Sequence, residues 1–465
     1  MLRTLLALLA LAFACPAAAE PLTAAESAAI DALVGKTLAE TQVPSASIAI
    51  VRSGEIVLTK AYGKASAAIP AARPDLPYQI ASNSKQFTAM ALLLLEDEGK
   101  LDLDDKVAKY FPEISGADRI AVRQLLNHTS GLQDYWPQDY SFPAMARPTT
   151  PQGILDIWAK KPLDFEPGTQ FQYSNTAYVV AGLIVEKVSG EPLLAFLKRR
   201  IFEPLGMTSV KDIDLTKGPA FPHGFERYAL GPVRQVTPPA AGWLYAAGEL
   251  SMSAGDMAKW NIARLNRSLV PNEDWETQET TTKLVDGSDT GAGLGVFVAK
   301  PKGRRVVSHT GESVGFLSAN SVYPDERAAI TVLTNSWSAS AFSEISRGIA
   351  KIVLPPPPED VATAAATAKI RRVYDQLRSG TLDRRLLTPN AKYYFTPVVL
   401  ADYRSSLGPL GEPTGFEAEG APRPRGGFLI QGFKVTYPNR TLSISTFVEP
   451  GPNGRVEQFL VQVGD

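Results

Sequence analysis

The sequence predicts an α+β protein in two unequal modules, and three observations carry that prediction. An amphipathic helix near the start is followed by two alternating segments joined by a tight turn. Four consecutive prolines, Pro355 to Pro358, make a stiff extended linker. Beyond them a helical stripe precedes three further segments with the period-two pattern of strands. A chain of 465 residues, 45% hydrophobic and 20% charged, is long enough for more than one core. A formal net charge of -1 argues against nucleic acid or an anionic membrane surface as the main partner.

Residues 1–19 read as a secretory signal. Arg3 supplies a positive start, Leu5 to Phe13 an apolar core, and Ala17-Ala18-Ala19 a small-residue cleavage site. The apolar run is shorter than a membrane span needs. The expected mature protein is therefore exported, periplasmic or secreted, with no stable membrane span. Cleavage removes Cys15, the only cysteine, and with it any disulfide, thiol nucleophile or cysteine metal site. His128, His223 and His309 are the only histidines, too few for a histidine-rich metal centre. No metal or other cofactor is expected.

Taken in order, Ile30, Leu33, Val34 and Leu38 recur at helical spacing between Pro21 and Glu40. Ser45 to Val51 alternates, with Ile48 and Ile50 on one side. Ser53-Gly54 then turns the chain into a returning strand, Glu55 to Tyr62. A helix starts near Ser82 and runs through the Leu- and Ala-rich stretch Met90 to Leu95, which reads as buried. Val122 to Leu126 is a short helix whose closing turn holds His128, read as a residue that bonds backbone there. Gln133 to Phe142, rich in Tyr and Trp, either walls a pocket or packs as an ordered loop. Glu166-Pro167-Gly168 turns into Tyr173-Ser174-Asn175 and an apolar helix through Val188.

Asp256 to Leu265 is the next helix. Strands are expected at Gly293 to Ala299, Arg304 to Ser308, Ala319 to Tyr323 and Ala329 to Thr334, with Ile345 to Leu354 as a closing helix. The glycine in His309-Thr310-Gly311 marks an edge where backbone comes close to a ligand. After the linker, Ile370, Val373, Tyr374 and Leu377 form a helical stripe ended by Gly380. Gly427 to Tyr437, Arg440 to Phe447 and Arg455 to Val463 read as strands. The expected bounds are 20–354 for the first module, 355–360 for the linker and 361–465 for the second.

The chemistry centres on Ser82-Asn83-Ser84-Lys85. Residues three apart on a helix share a face, so the Ser82 hydroxyl and Lys85 amine lie one turn apart. A lysine so placed takes the serine proton once burial and neighbouring charge lower its pKa. The motif alone is weak, because serines at helix starts are commonly caps. Tyr173 and Asn175 are two apart, so in extended backbone both face one side, offering a proton-relaying hydroxyl and a carbonyl-binding amide.

Together, Ser82-x-x-Lys85, Tyr173-Ser174-Asn175 and His309-Thr310-Gly311 resemble the three motifs of the serine β-lactamase and penicillin-binding-protein superfamily. Their order and spacing are similar to its class C-like branch of β-lactamase-related serine hydrolases, the peptidase S12 type. The resemblance covers roughly residues 22–354, including the Asn127-His128-Thr129-Ser130-Gly131-Leu132 turn. It implies a β-lactamase/transpeptidase-like fold, a central antiparallel sheet flanked by helices plus an all-helical lobe. It also implies that Ser82 is acylated, with Lys85 and Tyr173 as the acid/base pair. Asn175, His309, Thr310 and Gly311 would bind substrate, and the backbone N–H groups of Ser82 and Glu312 would form the oxyanion hole. The second module resembles the NTF2-like cone fold, a small α+β domain. Such modules bind small molecules, dimerise or have no chemical role, and a homodimer through this one is an expectation.

One departure from the family pattern bears on substrate. The third motif usually begins with lysine; His309 is a weaker cation, only partly charged at neutral pH. That suits peptidase and esterase members better than enzymes that bind carboxylate-bearing β-lactams. No second carboxylate to activate a deacylating water is assignable from the sequence. The resemblance therefore implies an exported serine hydrolase acting on a small ester, D-peptide or related amide. A genuine β-lactamase or D,D-carboxypeptidase is the alternative enzyme. A non-catalytic sensor of cell-wall fragments is the alternative of another class.

Overall fold

Thr23 begins the first helix, α1 (Ala24–Thr41), by a reciprocal cap: its hydroxyl accepts from Glu26 N–H while the Glu26 carboxylate accepts from Thr23 N–H. We describe a computed structural model covering residues 20–138, 140–228, 231–337, 340–355, 361–451 and 453–464. The signal read at 1–19 lies outside the described residues, as does most of the proline run. Contacts within the chain divide it into two units, Met1–Pro357 and Pro358–Asp465. Among the described residues no helix is long and apolar enough to cross a membrane.

In the first unit, β1 (Ser45–Arg52), β2 (Glu55–Gly63), β3 (Phe297–Ala299), β4 (Val306–Ser313), β5 (Phe316–Tyr323) and β6 (Ala328–Thr334) make one antiparallel sheet, ordered β2-β1-β6-β5-β4-β3. The alternation read in β1 is one of size, not of polarity, because Ser45 through Val51 are all buried. Helices cover both faces. Ile48 and Ile50 pack with Ile30 of α1, with Ile330 and Val332 of β6, and with Ile345 and Ile349 of the closing helix Ala341–Val353. Ala49 and Val51 join the larger core on the other side.

That larger core surrounds α2 (Lys85–Asp97), buried at every position from Lys85 to Leu95. Phe87, Met90, Leu92 and Leu93 each contribute about 1.5–3 kcal/mol on burial. The helix packs chiefly on α3 (Asn175–Ser189), and Trp260 of α4 (Ala254–Asn266) meets Phe87 at 4.7 Å between ring centroids. The four-residue turn Tyr245–Gly248 rests on α3 at Gly182. A Cβ on Gly182 would lie 2.4 Å from Ala246 Cβ, so only glycine admits this approach.

Two expectations at the sheet need correction. The His309-Thr310-Gly311 segment is part of strand β4, which continues to Ser313 where the sequence suggested it would end at Ser308. β3 is shorter than expected and pairs with Val306–Ser308 of β4. The glycine there does mark a close backbone approach, but to the protein itself. A Cβ on Gly311 would stand 2.0 Å from the Ile80 carbonyl oxygen and 2.4 Å from Ser318 Oγ. Gly311 thus lets β4 run against the turn that carries Ser82.

In the second unit, α5 (Val361–Ser379) ends at Gly380, whose φ of 75° suits glycine. A four-stranded antiparallel meander follows: β7 (Gly415–Arg425), β8 (Phe428–Tyr437), β9 (Arg440–Val448) and β10 (Val456–Val463). Ile370, Val373, Tyr374 and Leu377 meet Phe433, Val435 and Ile444 in a separate core. β7 and the helices Pro389–Tyr394 and Pro397–Leu407 are additions to what the sequence suggested.

Candidate active site

Ser82 lies in a single 3-10 turn, Ala81–Ser84, immediately before α2. The sequence suggested an α-helical start; the tighter turn eclipses residues three apart and stacks Lys85 directly on Ser82. Ala81 is left-handed with φ 48°, which costs a non-glycine residue strain of order 1 kcal/mol. The turn is pinned to β5: Asn83 Nδ2 donates to Ser318 Oγ and Ser318 Oγ donates to the Ile80 carbonyl, both at 2.9 Å. Ser84 Oγ accepts from Leu250 N–H at 3.2 Å.

Lys85 is wholly buried, and its Nζ has three partners. It lies 2.8 Å from Asn175 Oδ1, 2.7 Å from the Ala247 carbonyl oxygen and 3.1 Å from Ser82 Oγ. Two of these can only accept. Burial pushes the amine down to about 7, against the pull of the Asp134 charge. A neutral amine has two N–H donors and one lone pair. With both donors committed to Asn175 and Ala247, the lone pair faces the Ser82 hydroxyl.

The Tyr173 hydroxyl also bonds Ser82, while burial pushes the phenol above its ordinary range and keeps it protonated. His128 holds this tyrosine in place. Its ring stacks on Tyr173 at 4.2 Å and 27°, its Nδ1 accepts from Ser174 N–H at 3.1 Å, and its carbonyl accepts from Gln172 N–H at 3.0 Å. The backbone partner expected for His128 therefore belongs to the Tyr173 segment. Ser174 caps α3 through Ala177 N–H, so Tyr173 precedes the helix and Asn175 opens it.

Asp134, which no motif pointed to, completes the set. Its Oδ1 accepts from Trp136 N–H at 3.1 Å and Asn175 N–H at 3.2 Å, and both its oxygens lie 3.2 Å from Asn175 Nδ2. These donors and the start of α3 favour its charge; burial pushes its carboxyl the other way, up from the usual range.

His309 is buried, with ring centroids 6.2 Å from Tyr173 and 5.3 Å from Phe297. Its Nδ1 donates to the Thr310 carbonyl, and burial with the nearby Lys85 lowers it to about 4. The ring is thus neutral near pH 7, not partly charged as the sequence suggested. Along β4, Thr310 and Glu312 alternate outward while His309, Gly311 and Ser313 are buried.

The open space beside Ser82 is a cleft of about 480 Å³, lined by Asp134, Trp136, Pro137, Gln138, Gln172, Tyr173, Asn175, Leu244, Glu312 and Trp337 as well as Ser82. Trp136 and Trp337 meet edge to face at 6.5 Å, and Trp337 Nε1 donates to the Glu312 carboxylate. Of the two readings of Gln133 to Phe142, the pocket wall applies to Asp134 through Gln138. The charged side chains of this lining, Asp134 and Glu312, are both acidic.

A buried sheet-backed helix headed by Ser-x-x-Lys, with Tyr-x-Asn opening a neighbouring helix across from it, is the layout of the β-lactamase and penicillin-binding superfamily. The chain belongs to the β-lactamase family: the Beta-lactamase family model matches residues 30–353. A penicillin-binding protein of Bacillus subtilis (strain 168) is 27% identical over 356 residues, 73% of this chain and 78% of that protein. A D-aminopeptidase of Brucella canis is 30% identical over 327 residues, covering 67% of this chain and 60% of the relative. A D-stereospecific amidohydrolase from Streptomyces sp. superposes with a TM-score of 0.61 at 28% identity, over 70% of this chain and 98% of that one. The octameric penicillin-binding protein homologue from Pyrococcus abyssi shares the fold over 94% of this chain and 95% of its own, with a TM-score of 0.63 and 22% identity.

Proposed function

We propose that the protein is an exported serine hydrolase that forms an acyl-enzyme at Ser82 and hydrolyses small amides, D-peptides or esters. The observation that carries this reading is the placement of Lys85 Nζ 3.1 Å from Ser82 Oγ with two pure acceptors at 2.8 and 2.7 Å: the ammonium donates to all three, and the neutral amine, its two N–H groups on Asn175 and Ala247, turns its lone pair to the Ser82 hydroxyl. Ser82 Oγ attacks the substrate carbonyl and its proton passes to Lys85. Tyr173, protonated and bonded to Ser82, donates to the departing nitrogen or oxygen and is restored from Lys85. Water then enters where the leaving group was, giving up a proton through the same chain, and the acid leaves with Ser82 regenerated. The N–H groups of Ser82 and Glu312 are the proposed oxyanion donors, each worth about 3–4 kcal/mol to the transition state.

The cleft's charge narrows the substrate. A β-lactam or a D,D-carboxypeptidase substrate brings a carboxylate to a lining whose charged side chains are Asp134 and Glu312, with His309 neutral nearby. A neutral or amine-bearing acyl group is better matched, and a D-aminopeptidase and a D-stereospecific amidohydrolase stand among the relatives. The edge-to-face indoles offer an apolar wall and a face for a cation. We read the second unit as NTF2-like, which its helix on an antiparallel meander supports.

The test is labelling with a fluorophosphonate followed by a substrate panel. Wild type should be modified once, at Ser82, and Ser82→Ala not at all; persistent labelling of the variant would sink the assignment. Turnover of D-amino-acid amides and p-nitrophenyl esters should exceed that of nitrocefin. Stoichiometric acylation without turnover would favour a sensor instead.

A further inference from the structure

Asp134 lies in the loop after the His128 turn, outside all three motifs, yet its contacts bear on the central pair. The Asn175 side-chain amide has two orientations that differ by exchange of Oδ1 and Nδ2. With Nδ2 shared between the two Asp134 oxygens at 3.2 Å, Oδ1 turns toward Lys85 Nζ at 2.8 Å. The reverse orientation would set an amide oxygen against a carboxylate and an N–H₂ group against the amine, losing two bonds to charged or strongly polar partners. It would also leave one Lys85 N–H without its acceptor and free to turn toward Ser82 in place of the lone pair.

We propose that Asp134 is the positioning residue of the acylation step: it holds the Asn175 amide in the one orientation that points the Lys85 lone pair at Ser82, and supplies the negative charge that Lys85 faces. The proposal rests on Ser82 as nucleophile and Lys85 as its base. The titratable groups around Lys85 are Asp134 on its loop, His128 beneath Tyr173, His309 on β4, and the phenols Tyr173 and Tyr178, whose rings lie 4.9 and 5.2 Å from Nζ. Burial keeps both histidines neutral near pH 7 and both phenols protonated, so Asp134 is the anion acting on the amine. An anion favours the protonated amine. Removing it lets burial act alone, and Lys85 becomes a base at lower pH.

Orientation and charge separate experimentally. The second-order rate of Ser82 labelling by a fluorophosphonate is measured against pH for the full-length protein and for Asp134→Asn, Asp134→Glu and Asn175→Ser. In Asp134→Asn the acidic limb should move to lower pH by about one unit. Asp134→Glu should return the limb to its wild-type position. Asn175→Ser, which removes the amide but keeps the carboxylate, should lower the plateau about tenfold or more and leave the limb near the wild-type pH. A limb that stays put in Asp134→Asn, or moves in Asn175→Ser as it does there, overturns the proposal. So does build-up of acyl-enzyme in Asp134→Asn, read by intact mass during turnover of a p-nitrophenyl ester, with an unshifted limb, which would assign Asp134 to the deacylating water. Failure of the underlying reading looks different: Ser82→Ala would still be labelled, whatever the pH profile.

Discussion

Three groups around Ser82 are candidate bases, and the pH dependence of acylation tells them apart. Lys85 is lowered to about 7, His309 to about 4, and Tyr173 is pushed above its ordinary range. With Lys85 as base, the reactive fraction is the neutral amine. That fraction is about one half at pH 7, about one tenth at pH 6 and about one hundredth at pH 5. Labelling by a fluorophosphonate, followed by intact mass, should therefore fall about fivefold from pH 7 to 6, about tenfold per unit below that, and level off above 8. The probe carries no group that titrates in this range, so the limb belongs to the protein. A profile flat from about pH 5 to 8 would point to His309 instead, and a rate still climbing beyond about pH 10 would point to a tyrosinate. Either result refutes the lone-pair argument.

The same shift has a stability consequence. The lysine is protonated in the unfolded chain up to its ordinary 10.5 but neutral in the folded one above about 7. Between those values the unfolded state binds more protons, so the Lys85 contribution to stability rises with pH across that window. Below about 7 both states are protonated and its penalty is fully present.

Three further outcomes are expected. Gly311→Ala should destabilise the fold by about 1–3 kcal/mol in urea denaturation and cut Ser82 labelling at least tenfold, because its Cβ would meet the Ile80 carbonyl; wild-type labelling would refute the close-approach argument. Glu312→Gln should reduce the preference, in kcat/KM, for a D-amino-acid amide over its N-acetyl analogue by about tenfold, equivalent to about 1.4 kcal/mol; an unchanged ratio would remove Glu312 from amine recognition. His128→Leu should lower stability by about 1–3 kcal/mol by leaving Ser174 N–H unpaired, and should slow acylation by loosening Tyr173; unaltered thermal unfolding would contradict that packing role.

Much of the candidate site's geometry was legible because its parts are local. Ser82 and Lys85 are three residues apart and Tyr173 and Asn175 are two apart, so backbone geometry fixes each pair before any tertiary contact forms. That the two pairs meet at Nζ and Oδ1 is a tertiary fact the motifs could only imply. Asp134 was hidden for the opposite reason: it reaches Asn175 across 41 residues, from a loop where one carboxylate looks like any other. The Ala247 carbonyl leaves no trace in side-chain chemistry at all. Its nearest signal is Gly182, a glycine inside an apolar helix, where a close packing reason is the first thing to ask for. β1 misled in a related way, since a strand covered on both faces need not alternate in polarity.

The burial that stabilises α2 also lowers the Lys85 amine, as its proposed role as a base requires. Every side chain from Lys85 to Leu95 is buried, and the first of them is a lysine whose charged form this setting disfavours. The core therefore cannot be loosened around the head of α2 without raising the amine toward its solution value and leaving less of it unprotonated near pH 7. Two glycines permit this arrangement, Gly182 admitting the Ala247 turn and Gly311 admitting β4 to the Ile80 carbonyl. Gly182 lets the turn bring the Ala247 carbonyl to Lys85 Nζ, and Gly311 lets β4 run against the turn that carries Ser82. Fold stability and the unprotonated fraction of Lys85 are consequently set by the same contacts, and substitutions that relax the packing should be read for both.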